Sequence, residues 1–408
     1  MNILLFENNQ TADLYPITLT RPAFDILCGG TTLYKLLAQH FNTKQFIFKV
    51  RDYLTGLVAQ EFGRQNIKSD RWLFLDGSVI PQASNIVRLV KAAAKGKSFL
   101  VKTDQQVVAA LVDLATYKLT STKLANLKLE QIQPFLLSLR LPVLKLSLPR
   151  FNQVWEVVVA NKNILGDNLK HLSRGYRQLQ RGVFVGQKVK IESNVVFDVS
   201  QGPIVIGNES VISSLAVLRG PLYIGQKCLV KSLAELKESS CIGDVCRLGG
   251  EIEASIMQGY ANKQHYGYLG HAYVGSWVNL GAGTTNSDLK NTYGEIKING
   301  RSTGQQFMGC IIGDYSKSAI GTLIYTGKII GVNGLLYGTI KNNVPSFTNA
   351  ASKLIACPLT VAWKMQQAMF KRRQVKVTLS ARRLLQFVYK LTTRERQQAA
   401  VEVGKLVI

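Results

Sequence analysis

Acidic residues are scarce in this 408-residue chain: 25 Asp+Glu stand against 50 Lys+Arg, a net charge of +25. Such a surplus points to anionic partners: phosphorylated substrates, coenzyme A, nucleic acid or a membrane surface. Histidine is scarcer still, with four in the chain. Any imidazole chemistry therefore rests on very few positions. The six cysteines (Cys28, Cys228, Cys241, Cys246, Cys310 and Cys357) form no CxxC pair. That excludes a paired-thiol motif, and the usage suits a reducing compartment. No apolar run reaches the length of a membrane span, and no signal-peptide pattern follows Met1. The expected location is the cytoplasm.

What the chain does have is a repeat. An aliphatic residue returns every six positions at Ile206, Ile212, Leu218, Ile224, Val230, Leu236, Ile242 and Leu248. The same spacing appears upstream at Val185, Ile191 and Phe197. Downstream it returns at Val274, Leu280, Ile312, Ile324, Ile330 and Leu336. Two residues before many of these stands a small side chain, as at Ser210, Ala216, Cys228, Ala234, Ser240 and Cys246. A period of six is neither a strand nor a helix period. It predicts a parallel β-helix, three hexads to a coil, with the aliphatic inside a triangular prism and the small residue beside its corner. Cys228 and Cys246 are then packing residues.

Four regions follow. Residues 1–145 alternate apolar runs, such as Ile3–Phe6 and Trp72–Leu75, with amphipathic stretches, which predicts an α/β domain with a mainly parallel sheet. Residues 146–182 form a helical linker and residues 183–350 the β-helix. The hexads lapse at Glu251–Gly267 and Asp288–Met308, both expected to be loops leaving the prism. Residues 351–408 read as a helical tail with 12 Lys+Arg against 2 Asp+Glu. Its apolar stripe includes Leu384, Phe387 and Leu391, and its basic face carries Arg372, Arg373, Arg382 and Arg383.

Two of the four histidines, His265 and His271, fall in one window that leads into Val274-Gly-Ser-Trp-Val-Asn279-Leu-Gly281-Ala282-Gly283-Thr284. A histidine at a coil edge can act as a base near neutral pH. The Gly281–Thr284 run leaves backbone uncovered for an extended ligand. Asn279 supplies an amide at the same edge. The alternative for His265 is a structural loop histidine.

The stretch from His265 to Thr284 resembles the acetyltransferase domain of the bifunctional N-acetylglucosamine-1-phosphate uridylyltransferases. Ser302–Asp314 is similar to archaeal sugar-1-phosphate nucleotidylyltransferases that carry an amino-sugar acetyltransferase domain. The resemblance implies a left-handed β-helix, a homotrimer with its site between subunits, and acetyl transfer from acetyl-CoA to an amino-sugar-1-phosphate. His265 would be the general base. Tyr268 and Asn279 would contact the sugar, and the backbone of Gly281, Ala282 and Gly283 the acyl donor. The tail arginines would lie beside the coenzyme A phosphates. Where that family holds the sugar phosphate with a lysine, this chain has Glu253. A family arginine falls near Lys237, and Lys237, Lys263 or Lys290 would take over the anion.

In the first half, Leu14–Gly30 resembles the opening of sugar nucleotidylyltransferases. The glycine cradle that binds nucleotide phosphates in that family is replaced by Glu7-Asn-Asn-Gln-Thr-Ala-Asp13, and its lysine by Ala23-Phe24. Arg21 remains as a cation. Asp25 and Asp76 remain as acids for Mg²⁺ or the sugar. Each of the three has a structural alternative. The chain is also similar to a divergent bacterial subfamily of sugar nucleotidyl transferases.

The reading is a sugar-nucleotide-type transferase: a divergent nucleotidyltransferase-like domain, then an acyltransferase β-helix. One rival is an active nucleotidylyltransferase, taking an NTP, with a scaffolding β-helix. The other is a non-catalytic assembly protein whose basic tail meets an anionic membrane surface. Nucleic acid is not an expected partner.

Overall fold

The computed structural model describes residues 1–41, 45–63 and 69–406. Two compact units emerge. The first comprises Met1–Leu14, Arg21–Ile26 and Thr31–Asn152; the second comprises Tyr15–Thr20, Leu27–Gly30 and Gln153–Ile408. The Leu14–Gly30 motif is thus divided, with two of its segments built into the second unit.

In the first unit, β1 (Asn2–Phe6), β2 (Phe46–Lys49) and β3 (Arg71–Asp76) are parallel, with β1 in the centre of the three. Strands β4 (Phe99–Thr103) and β5 (Gln106–Asp113) extend the sheet in antiparallel register, giving the order β2-β1-β3-β5-β4. Strand β1 is buried along its whole length, which is why it reads as an unbroken apolar run rather than an alternating one. Helices α1 (Leu33–Phe41), α2 (Thr55–Phe62) and α3 (Ala83–Ala94) follow β1, β2 and β3 in the chain. Two shorter helices, α4 (Ser121–Ala125) and α5 (Ile132–Ser138), pack Leu124, Ile132 and Leu136 into a core with Trp72 and Phe74.

Besides its two short N-terminal segments, the second unit contains α6 (Glu156–Leu172), followed by a parallel β-solenoid. Its first side stacks strands from Val183–Val185 to Ile329–Ile330. The second side runs from Lys190–Ile191 through Asn262–Lys263, then by single bridges at Asn279 to Lys317–Ser318. The third runs from Val196–Asp198 to Tyr268–Gly270. All eight aliphatics from Ile206 to Leu248 are fully buried in one core. Each contributes about 1.5–3 kcal/mol by leaving water. Ser210, Ala216, Cys228, Ala234, Ser240 and Cys246 are buried beside them, and all six cysteines are free and buried.

The two lapses in the hexads have different outcomes. Asp288–Met308 does leave the prism and carries a small antiparallel hairpin, Lys297–Ile298 with Arg301–Ser302. Glu251–Gly267 does not. It continues the coils through Glu251–Glu253, Ile256–Met257 and Asn262–Lys263, each in register on the coil before. Shortened corners shift the sequence phase and hide the repeat.

The tail folds as α7 (Leu359–Arg372), α8 (Leu379–Leu391) and α9 (Thr393–Gln398). Helix α7 sets Phe370 against Trp277, with ring centroids 4.8 Å apart. Helix α8 buries Leu384, Leu385 and Val388, whereas Phe387 and Leu391 are exposed. The buried stripe is therefore rotated from the expected one. No described helix is long and apolar enough to cross a membrane.

Candidate active site

The corner that follows Asn262–Lys263 contains Gln264, His265, Tyr266 and Gly267. It stacks on the corner Gly281–Thr284, with Gly283 N donating to Tyr266 O at 3.1 Å. That corner in turn meets 319–321, where Gly321 N donates to Ala282 O at 2.7 Å.

Lys263 lies behind this corner and points inward. It pairs in register with Leu248 and is 2% exposed. Its ammonium donates to three carbonyls, Gly249 O (3.1 Å), His265 O (3.2 Å) and Gly267 O (2.6 Å). Burial pushes its pKa down to about 8. The expectation that Lys263 holds a substrate anion does not fit this geometry, because its donors are already committed to backbone. It braces the loop that carries His265.

His265 itself is exposed. Among the described residues its imidazole has one polar neighbour, the Gln264 amide, Nε2 to Nε2 at 3.4 Å. Beside it, Tyr266 lies over Gly283: a Cβ on that glycine would meet the Tyr266 hydroxyl at 2.9 Å. A Cβ on Gly281 would meet the Ala319 backbone at 2.7 Å. These glycines are required by coil stacking and by the Tyr266 ring, and Gly283 also has a left-handed φ of 74°. The expected uncovered backbone is thus partly covered.

On the second side, Asn279 bridges to Asn262, whose Nδ2 donates to Asn279 Oδ1 at 3.1 Å. The Oδ1 of Asn262 accepts from Arg373 Nη2 at 2.6 Å. A cavity of about 200 Å³ opens here. Among the described residues its lining carries three cations, Lys317, Arg372 and Arg373, and no carboxylate. Tyr260 and Trp277 stack in its wall with centroids 4.3 Å apart. Burial, then the neighbouring Arg247 and Arg372, disfavours the charge on Arg373. Burial likewise pushes Lys317 down to about 8. An anion would relieve both. Arg382 and Arg383 lie on the exposed face of α8 and do not line this cavity.

The third side is acidic. Lys237 is held by Glu251 and by Glu253 (3.3 Å). The hydrogen bond to Glu251 holds the ammonium above its usual range. Lys237 is thus already neutralised, and the role of anion holder expected for it does not fit. Tyr268 donates to Asp288 Oδ2 (2.7 Å) and faces Glu253 (3.4 Å). Burial and the bond to Asp288 push its phenol well up. Lys290 donates to Glu295 O within the insertion. The sequence had flagged Glu253, but it gave no role to Asp288, Tyr260 or Trp277.

In the first unit, the position vacated by the glycine cradle is filled by protein. Asp76 is fully buried at the C-terminal end of β3. Its oxygens accept from Asn8 Nδ2 (2.6 Å) and from Ser78 N and Oγ (2.8 and 2.7 Å). Arg150 stands 3.9 Å away, itself 5% exposed and bonded to Gln10 and Gln106. Burial pushes the Asp76 carboxyl up. Arg21 pairs with Asp25 at 3.2 Å. Glu7 is taken by Arg51 (2.9 Å) and by Ala23 N (3.1 Å). In open α/β sheets this crevice, where strand order reverses, is the ligand site. Here the Asp76 oxygens are already occupied, which does not fit a role in holding Mg²⁺. Among the described residues, no three His, Cys, Asp or Glu side chains gather as a metal site.

Residues 3–177, less than half of the chain, match the family described as sugar nucleotidyl transferase. A bifunctional sugar-1-phosphate nucleotidylyltransferase/acetyltransferase of Sulfurisphaera tokodaii is 29% identical over 97 residues. That match covers 22% of this chain and spans about a quarter (24%) of the relative's length. Solved structures similar to this chain include a UDP-N-acetylglucosamine acyltransferase of Francisella novicida, at 13% identity and TM-score 0.31, covering 53% of this chain and 78% of that one. The Arabidopsis UDP-N-acetylglucosamine acyltransferase is similar at 12% identity and TM-score 0.31, covering 55% and 97%. These relatives are all transferases of nucleotidyl or acyl groups.

Proposed function

We propose that the solenoid transfers an acetyl group from acetyl-CoA to the amino group of a sugar, with His265 as general base. One observation carries this reading. The corner with the exposed His265 imidazole adjoins Asn262, which ties it to a carboxylate-free cationic cavity through Asn279 and Arg373. In this reading Arg372 and Arg373 take the coenzyme phosphates, and the Tyr260–Trp277 pair offers a flat apolar face. The acceptor lies on the third side against Tyr268. As its nitrogen attacks the thioester carbonyl, the C–N bond forms and the C–S bond breaks. His265 takes the amine proton and passes it to the leaving thiolate.

The acidic third side suits the amine of the acceptor better than a phosphate, since Lys237 and Lys263 are both committed elsewhere. The expected amino-sugar-1-phosphate therefore becomes a comparison to be made against the free amino sugar. The corner also bears a row of exposed apolar side chains, Leu215, Leu233, Tyr266 and Ile320, at 51–79% exposure. Such a row beside a base supports a homotrimer with the site completed by a second copy.

The alternative, nucleotidyl transfer by the first unit, is favoured by the family match over residues 3–177 and opposed by the filled crevice at Asp76. A thiol-release assay with acetyl-CoA and either glucosamine or glucosamine 1-phosphate, run beside pyrophosphate release from UTP, separates the two. His265→Ala is expected to slow thiol release by roughly 10²–10⁴-fold with the fold intact. A near-wild-type rate would overturn the assignment.

A further inference from the structure

His271 stands at the other end of the same strand from the corner of His265. It follows Tyr268–Gly270, in a left-handed turn with φ 48°. Its side chain is 12% exposed. Nδ1 lies 2.8 Å from Asp288 Oδ2, the oxygen that also accepts from Tyr268. Burial raises the Asp288 carboxyl, but the hydrogen bonds from His271 and Tyr268 outweigh it and hold the group below its usual range. A carboxylate only accepts, so Nδ1 carries a proton, and in the neutral ring Nε2 is then the acceptor. The ring is steadied by Phe307, with centroids 5.5 Å apart and planes at 29°. Among the described residues, Nε2 has no protein partner.

His271 lines an open cavity of about 290 Å³ whose lining residues all belong to the second unit. Val158 and Val159 of α6, with Phe307 and Met308, form its apolar wall. The Gln305 and Gln306 amides and the exposed Lys162 ammonium supply polar groups. Asp288 and Tyr268 do not line it. Nε2 is therefore the polar atom His271 can offer to an occupant. An alternative role for the dyad is to tie the 288–308 insertion to the coil. That explains the Nδ1 contact, but neither the partnerless Nε2 nor the lined cavity.

We propose that this cavity is a second small-molecule site, distinct from the corner of His265. Its ligand is a hydroxylated anion of about the size of a hexose phosphate. A ligand hydroxyl donates to His271 Nε2, the carbon face of the ligand lies on the apolar wall, and Lys162 meets its anionic group. A mostly apolar hollow with a few convergent polar groups is the usual form of such sites, and this one is near their lower size limit. The proposal does not rest on the acyl-transfer reading.

Calorimetric titration of the full chain with glucose 1-phosphate, glucose and inorganic phosphate tests it. His271→Asn keeps a donor toward Asp288 but removes Nε2. It is expected to weaken glucose 1-phosphate binding about tenfold, the scale of one buried hydrogen bond, with an unchanged melting temperature. Lys162→Ala should weaken the same ligand and leave glucose unaffected, while His265→Ala should bind as wild type. Absence of binding overturns the proposal. So does binding that persists in both His271→Asn and Lys162→Ala, or inorganic phosphate binding as tightly as glucose 1-phosphate.

Discussion

Lys263 stacks in register on Leu248, so an ammonium enters the solenoid interior where the preceding coils place an aliphatic side chain. The stem fills the aliphatic position, and the head donates to the carbonyls of Gly249, His265 and Gly267.

Lys263→Met keeps the stem and removes the head. The carbonyls of Gly249 and His265 lose the Lys263 donor, while Gly267 O keeps Glu251 N, and stability at pH 7 should fall by about 1–3 kcal/mol. The pH dependence has a definite sign. With a folded pKa of about 8 against an ordinary 10.5, the unfolded chain binds more protons between those values. This group's destabilising contribution is thus complete below pH 8 and relieved toward pH 10.5. In denaturant titrations, wild type should gain stability relative to Lys263→Met as pH rises across that window.

Removing the charge at the cationic cavity tests the donor site. Arg372→Ala/Arg373→Ala is expected to raise the acetyl-CoA KM by roughly tenfold, with a smaller fall in kcat, and to flatten the salt dependence of KM. An unchanged KM, coupled with lost binding to anionic vesicles, would point to a surface partner for the tail.

The exposed apolar corner predicts an assembly. Light scattering should report a trimer for the wild type. Leu233→Glu/Ile320→Glu should yield monomers with acetyl transfer lost, because both side chains are more than 70% exposed in one copy and carry no packing role within it. A wild type that is monomeric yet active would contradict this.

In the first unit, Arg150→Met strips the buried Asp76 of its cation. Thermal or chemical denaturation should show a loss of about 3 kcal/mol or more. Nucleotidyl transfer should be weak or absent with UTP and sugar 1-phosphates. Robust Mg²⁺-dependent pyrophosphate release that disappears in Arg21→Ala would reverse that expectation.

The solenoid was legible because its period is a property of the chain itself. An interior side chain must recur once per hexad, so Ile206 to Leu248 declare the architecture without any tertiary knowledge. The loss of the glycine cradle at Glu7–Asp13 was legible for a similar local reason. The course of Glu251–Gly267 was not. Two shortened corners displaced the phase, and Lys263 took an aliphatic position, so a continuous wall read as a loop. The tail's amphipathic pattern was visible, but the choice of Leu385 over Phe387 for burial depends on what α8 packs against.

By itself, then, the sequence determined the repeat, the order of the regions, the charge surplus and the short window containing both His265 and His271. Only the tertiary structure decided which charges are available. Lys237 and Lys263 have the same formal charge as Arg372 and Arg373. The first two are consumed by carboxylates and carbonyls brought from neighbouring coils, while the latter two meet across a cavity without a carboxylate. Likewise, His271 acquires its partner Asp288 from 17 residues away. Partnership between side chains is set by distances of a few ångströms in the folded chain, because desolvation and Coulomb terms depend on separation in space rather than along the sequence.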